Sequence, residues 1–149
     1  MQDLRWVQMT EEELSEFLGR GGTGIISFTT EATDPPFTIP VSYGYDADSA
    51  TFYYRLSFPP ESGKEDFIDN PVAFVTYDQV DEKYRSVVAT GHLEEVTDMP
   101  YNSAAIQRMW SIQIPMVDIF DQPPENISFR HFRLVPDTVA GRKEVKSQP

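Results

Sequence analysis

Apolar and polar positions along the chain change period several times, and each change marks an element. Thr10 with Glu13 forms the pattern of a helix capping box. Leu14, Phe17 and Leu18 then repeat at helical spacing, and Gly19 can close the helix. From Gly24 to Thr30 the run is short and apolar, as in a buried strand, and Thr33-Asp34-Pro35-Pro36 is a turn. Between Phe37 and Tyr45 the alternation is strict. Phe37, Ile39, Val41, Tyr43 and Tyr45 share one face, against Thr38, Pro40, Ser42 and Gly44 on the other. Pro40 has no ladder donor, so this strand must lie at an edge or break locally there.

Asp46 to Ser49 reads as a hairpin connection into a strand from Ala50 to Ser57. Phe52, Tyr54 and Leu56 then face one side, and Tyr53, Arg55 and Ser57 the other. Pro59 to Gly63 is loop, and Lys64 to Asp69 has the length of about two helical turns before Asn70-Pro71. Val72 to Tyr77 and Arg85 to Thr97 are further strands. Pro100 to Ile112 reads as a helix with Ile106, Met109 and Trp110 on its apolar side, and 115–125 as irregular. Ile127 to Val135 is the last strand, with a polar tail from Arg142. Six strands with short helices between them fit an antiparallel barrel rather than alternating βα units.

Composition narrows the function. The 149 residues have the size of one domain, with residues 1–8 and 141–149 expected as peripheral tails. Cysteine is absent, which excludes disulfides, thiolate catalysis and cysteine-ligated metals. Twenty-four acidic residues oppose twelve basic ones, for a net charge of −12. Nucleic-acid backbones and anionic membranes both need a basic face, so neither is an expected partner. No 18-residue apolar run and no leader pattern is present, and a cytoplasmic location is expected. The spread of acidic residues fits either the hydrated surface of a halophile's protein or an ordinary acidic one.

Several motifs dissolve in context. Gly19-Arg20-Gly21-Gly22-Thr23-Gly24 spells GxGxxG, but it follows a helix and opens a strand, the reverse of a dinucleotide site. Asp46-x-Asp48-Ser49 begins like a calcium loop, yet Thr51 and Ser57 stand where Gly and Glu are required. His92 and His131 lie in strands without carboxylates at ligand spacing, so no metal site is expected. No catalytic triad can be picked out, and the catalytic residues stay unassigned.

One constellation remains: Arg55, Ser57, Ser62, Gly63, Lys64, Arg85 and Ser86. Lys64 opens a helical segment, where a cation opposes the macrodipole unless an anion sits between them. A phosphate held by Arg55, Ser57, Lys64 and a residue near Ser86 is one reading. Ion pairing of Arg55 and Lys64 with Glu61, Glu65 or Asp66 on a solvated surface is the other.

The order PVSYGYD, FYYRLS, SGK, NPVAFV and YRSVVATGHLEEV resembles the flavin-binding split-barrel family. That family includes pyridoxamine 5'-phosphate oxidases and nitroimidazole-resistance proteins. The resemblance spans about Met9 to Glu95 and, more weakly, the final FRLVPDTVAGRK. It implies a mainly β (α+β) fold, a six-stranded antiparallel Greek-key split barrel with short flanking helices. It also implies a homodimer with FMN in clefts at the subunit interface, or a deazaflavin or haem in related barrels. Lys64 with Ser62 is then expected on the FMN phosphate, and Arg55, Leu56 and Ser57 at the strand end that touches phosphate or ribityl. Pro40, Val41, Ser42 and Tyr43 are expected to present backbone to the isoalloxazine edge, and Ser86 to reach the ring or ribityl chain. Trp110 is expected as an aromatic contact from the second subunit. The implied activity is an oxidoreductase that takes electrons from a donor such as a nicotinamide nucleotide and passes them to a small molecule. A non-catalytic flavin carrier or interaction module is the alternative. The chain lacks the arginine-rich pattern of pyridoxamine phosphate oxidases, and nitroimidazole-resistance relatives often carry histidine in place of Arg55.

Overall fold

A computed structural model describes residues 4–58, 66–96 and 128–146. Ser62, Lys64, Trp110 and the expected helix from Pro100 to Ile112 lie outside them. The described residues form one α-helix, α1 (Glu11–Gly19), and nine strands: β1 (Leu4–Gln8), β2 (Gly22–Phe28), β3 (Phe37–Asp46), β4 (Thr51–Phe58), β5 (Val72–Val80), β6 (Lys83–Gly91), β7 (Leu93–Glu95), β8 (Ser128–Leu134) and β9 (Thr138–Lys146). All pair antiparallel in one sheet of order β1-β9-β6-β5-β2-β3-β4-β8-β7.

The expected six strands are therefore nine, for three physical reasons. β1 and β9 pair with each other from Leu4↔Lys146 to Gln8↔Arg142, so the described part of the expected tails, 4–8 and 141–146, belongs to a two-strand margin of the sheet. Their alternation is hidden because Arg, Lys and Glu occupy both faces. The long strand expected from Arg85 to Thr97 breaks at His92. β6 then sits between β9 and β5, while β7 forms the far edge beside β8. A single residue links strands so far apart in the order, so the sheet must curl back on itself. Gly91 marks the closure, since a Cβ there would lie 2.9 Å from Leu134 Cδ1. The short helix expected at Lys64 to Asp69 is a turn over its described part, closed by Asn70 N–H to Phe67 O at 2.9 Å.

The capping box forms as expected. Glu13 N–H donates to Thr10 Oγ1 and Thr10 N–H to Glu13 Oε1, each at 3.1 Å. The left-handed residue after α1 is Gly21, at φ 66°, with Arg20 as the cap. The glycine-rich run is thus a helix end and a strand start, as its context requires.

Inside the curl, Phe74 lies edge-on to Tyr43, Phe52 and Tyr54, with ring centroids 5.1 to 5.4 Å away. Leu18, Ile26, Phe28, Val87 and Leu134 complete the core. α1 covers the inner face of β9, where Gly141 lets the Leu14 and Met9 side chains approach.

A split sheet edge as the candidate site

Pro40 lies where the sheet opens. It pairs with Ile25 of β2 inside an unbroken register from Gly22↔Tyr43 to Phe28↔Phe37. A proline can sit in such a ladder only with its nitrogen turned away from the partner strand. By the two-residue period, the main-chain groups of Thr38, Pro40 and Ser42 face the same way, toward β4. Yet β4 pairs with β3 only from Tyr43↔Tyr54 to Asp46↔Thr51. On its other side β4 pairs with β8 from Phe52↔Leu134 to Phe58↔Ser128, so beyond Tyr54 it keeps β8 as a neighbour, through Arg55↔His131, Leu56↔Arg130 and Ser57↔Phe129, and loses β3. The two strands diverge at the Tyr43–Tyr54 pair. The expected local edge at Pro40 is present, and it is one wall of a split.

The other wall carries Arg55 and Ser57, both half-buried on the outer side of β4. Leu56 lies between them with its side chain in the core, so only its backbone can face a ligand. Val41 and Tyr43 are likewise core side chains whose backbones lie on β3. Ser42 is buried on the outer side. Pro40 to Tyr43 on one strand and Arg55 to Ser57 on the other are therefore the segments that flank the divergence.

Ser86 is not with them. It lies on the outer face of β6, flanked by Tyr77 of β5 and Arg142 of β9. β5 and β2 separate it from β3, about 14 Å at the usual spacing of ~4.8 Å between strands. Arg85 points to the opposite face, where its guanidinium is 4.0 Å from Glu13. Lys143 also donates to Glu13. The Lys143 hydrogen bond, aided by Thr10, holds the Glu13 carboxyl down at about 2.

Two polar features escaped sequence reasoning. His131 is set directly opposite Arg55, and Arg142 directly opposite Ser86. Strand alternation alone could assign their faces, but the register that pairs them comes from the folded sheet. Burial, aided by the Arg55 charge, pushes His131 below the usual imidazole value.

Behind the split, the Tyr43 hydroxyl bonds to Thr76, whose hydroxyl donates to Thr23 O at 2.8 Å. Tyr54 Oη is buried with no hydrogen-bond partner among the described residues. Burial raises both phenols above their ordinary value, Tyr54 the more strongly, so both stay protonated at working pH. His92 is exposed at the β6–β7 break. Among the described residues no three His, Asp or Glu side chains gather as a metal site. Nor is any helix among them long and apolar enough to cross a membrane.

The family model described as pyridoxamine 5'-phosphate oxidase matches residues 10–143. The chain belongs to the pyridoxamine 5'-phosphate oxidase family. Solved structures agree on the fold. An FAD-binding protein from Mesorhizobium loti superposes with a TM-score of 0.70 at 20% identity, covering 97% of this chain and 99% of that one. The FAD-binding protein from Mycobacterium smegmatis gives 0.65 at 20% identity, covering 92% and 97%. A candidate 5-nitroimidazole antibiotic resistance protein from Bacteroides thetaiotaomicron gives 0.62 at 18% identity, covering 97% and 91%. No curated protein matches the sequence.

Proposed function

We propose that this chain binds FMN in the β3–β4 split and serves as a flavin-dependent oxidoreductase at the interface of a homodimer. The observation that carries the reading is the split itself. One wall is an open main-chain edge, and the other bears Arg55 and Ser57. A flat heterocycle with an imide edge needs alternating acceptors and donors, which Pro40 O and Ser42 N–H supply on the open edge. A phosphate needs a fixed cation and a hydroxyl, and Arg55 with Ser57 presents both. Two structural neighbours are FAD-binding proteins, which supports a flavin of some kind. Lys64 and Ser62 are assigned to the same phosphate and Trp110 to the second subunit, on the family resemblance alone.

When bound, the flavin supplies the redox chemistry through its ring, while the protein supplies binding, orientation and electrostatics. The buried, protonated Tyr43 and Tyr54 keep negative charge away from the back of the split. The core ring of Phe74 behind them excludes water from that side.

The dimer is supported by the outer face of β1, β9, β6, β5 and β2. Ile25, Val75, Val88 and Ala140 lie in one register row, with Leu4, Trp6, Tyr77 and Tyr84 on the same face. Trp6 is 51% and Tyr77 65% exposed, in a chain of net charge −12. Such a face is unusual on a monomer and fits a second copy of the chain. Ser86 and Arg142 lie within it, so a second copy could carry them to the split that its partner presents.

The test is an absorption spectrum after incubation with FMN, followed by chromatography of the nucleotide released by heat. Two flavin bands and about one FMN per chain are expected, and Arg55→Gln should weaken FMN roughly ten- to a hundredfold. Released FAD would replace the cofactor, and a deazaflavin or Soret band would do the same. A protein that takes up none of these refutes the reading. Turnover of a nicotinamide nucleotide above that of free FMN separates the oxidoreductase from a carrier.

A further inference from the structure

The outer face of β9, β6, β5, β2 and β3 carries nearly the same side chains on either side of β5. The strand register sets its outward residues in rows across the sheet. One row runs Thr138, Thr90, Ala73, Ser27, Thr38, a small apolar residue between two hydroxyl pairs. Thr90 and Thr138 are hydrogen-bonded to each other through their hydroxyls, and Ser27 and Thr38 likewise, the latter pair at 2.8 Å. The next row runs Ala140, Val88, Val75, Ile25, Pro40 and is apolar from end to end. In the third, two residues past the Ile25↔Val75 pair, Ser86 and Thr23 flank Tyr77. Its ends are Arg142, which is exposed, and Ser42, which is small and buried. They differ as a projection differs from a recess.

Charge is nearly absent from these rows. Arg142 is the one charged residue in them, on a chain with 24 acidic and 12 basic residues. Charged groups are depleted in this way where a face is buried against a partner. Hydroxyls already bonded to a neighbour on the same face lose water without losing that bond. At ~4.8 Å between strands and ~6.8 Å between rows, and with the further row of Trp6, Tyr84 and Gln79, the face measures roughly 24 by 27 Å. That footprint of about 650 Å² is near the ~800 Å² that each partner gives to a standard interface.

In an isologous interface, if one residue meets a second, the second meets the first. A face that is alike on both sides of a line meets that condition when it is turned over about the line. We propose that two copies pack through these rows with the molecular two-fold running along β5. The proposal rests on the homodimer reading above and gives it a geometry. Rotation about this axis keeps each row in place and exchanges its ends. Val75 meets the partner's Val75, Ala140 meets the partner's Pro40, and Thr138 meets the partner's Thr38. Arg142 then lies over the partner's Ser42, at the open main-chain edge of the split. Each split is thus completed by a cation from the other copy. A two-fold running across the strands is the other way to stack this face on itself. It sets β9 on β9, four strands from the edge of the split, and lays the hydroxyl row on the row that ends in Arg142.

The chain has no cysteine, so single cysteines placed on this face can be joined by a short bis-maleimide. Stacked sheets lie about 10 Å apart, so only residues that face each other are within its reach. Ala140→Cys alone should stay unlinked, because four strand spacings, roughly 19 Å, separate it sideways from its own copy. Ala140→Cys and Pro40→Cys chains, mixed and exchanged before reaction, should give linked dimer. Thr138→Cys mixed with Thr38→Cys repeats the test without touching the proline. Arg142→Gln should leave the dimer mass unchanged and weaken FMN about tenfold.

Linking of Ala140→Cys to itself would put the two-fold across the strands and overturn the proposal. A monomeric wild type in sedimentation equilibrium, or no link in either mixture, overturns it as well. If the mixtures link and FMN does not bind, the two-fold stands and the flavin reading fails. If FMN binds and neither mixture links, the flavin reading stands and this two-fold falls. Equal FMN affinity in Arg142→Gln would overturn the placing of Arg142 at the split.

Discussion

Gly24 offers a test of the packing that keeps the split open. It lies on the inner face of β2, paired with Val41, two residues before the buried Ile26. A Cβ at this position would be 2.5 Å from Val75 O and 2.6 and 2.8 Å from the Phe74 ring. The oxygen is backbone in the neighbouring strand, and the ring is wedged among Tyr43, Phe52 and Tyr54. Neither can retreat cheaply. Gly24→Ala gains about 0.5–1 kcal/mol from a stiffer unfolded chain and loses about 1–3 kcal/mol to overpacking. With a backbone atom as the obstacle, the upper part of that range applies, for a net loss of about 2 kcal/mol. At about 3 °C per kcal/mol for a chain this long, Tm should fall by roughly 6 °C.

The same substitution elsewhere calibrates the argument. A Cβ on Gly19 meets nothing within 4 Å, so Gly19→Ala should raise Tm by about 2 °C. At Gly141 the nearest atoms are Leu14 Cδ1 at 2.7 Å and Met9 Cε at 2.9 Å, the flexible ends of two side chains. Gly141→Ala should therefore cost about 1 kcal/mol or less. Thermal melts of all three at one protein concentration, without ligand, decide the matter, because both dimerisation and cofactor shift Tm. A Gly24→Ala melt within 1 °C of wild type, or an order other than Gly19 above Gly141 above Gly24, would refute the close-packing account.

Other positions give independent checks. The β5–β6 hairpin turns through Asp81 and Glu82 at φ 53° and 67°, a left-handed pair that suits aspartate at the first position but calls for glycine where Glu82 stands. Asp81→Asn with Glu82→Gly should raise the urea midpoint by the equivalent of about 1 kcal/mol, and no gain would mean the turn is not strained. Glu13 titrates near 2 when folded against an ordinary value of 4.5, so its contribution is full above pH 4.5 and lost as pH falls toward 2. Wild type should exceed Glu13→Gln in urea midpoint at pH 6, and the gap should close between pH 4.5 and 2. A gap independent of pH would refute the Lys143 pairing as its source. Val88→Asp, in the centre of the apolar outer face, should convert the proposed dimer to monomer in sedimentation equilibrium without unfolding the chain, and a monomeric wild type or an unchanged dimer mass would refute this face as the interface.

Where side chains alternate cleanly, the fold was legible from the residues. The Phe37 to Tyr45 run announced β3 and both its faces, and Pro40 announced the edge, because proline's missing donor is a local fact. β1 and β9 were not legible. Their pairing rests on backbone hydrogen bonds between residues as polar as Arg5 and Lys143, and periodicity sees only side-chain polarity. The break at His92 was hidden for a related reason. Strand residues stand before it, from Val87 to Thr90, and a strand resumes after it at Leu93, and only closure of the sheet forces the chain to leave β6 and rejoin beside β8. The candidate site was half visible. Arg55 and Ser57 share a face by parity, but the Arg55–His131 opposition depends on a register between segments more than seventy residues apart in sequence, which no local pattern encodes.

The split and the buried hydroxyl pair behind it have a common cause. β3 and β4 are held together by their hairpin as far as Tyr43 and Tyr54, whose rings both close on Phe74. Past that point β3 is tied to β2 through Ile25↔Pro40, and β4 is tied to β8 through Arg55↔His131. Pro40 lacks the donor that a continued β3–β4 ladder would use, so restoring a donor alone should not zip the strands together. Pro40→Ala leaves β4 committed to β8 and should preserve the core and Tm within about 1 kcal/mol. It adds one N–H to the open edge, however, beside the acceptors and donor that the flavin reading assigns to Pro40 and Ser42. A change in flavin affinity without a change in Tm would place the ligand against that edge. Equal affinity for wild type and variant would move the ring elsewhere in the split and leave only the Arg55 wall in contact with the cofactor.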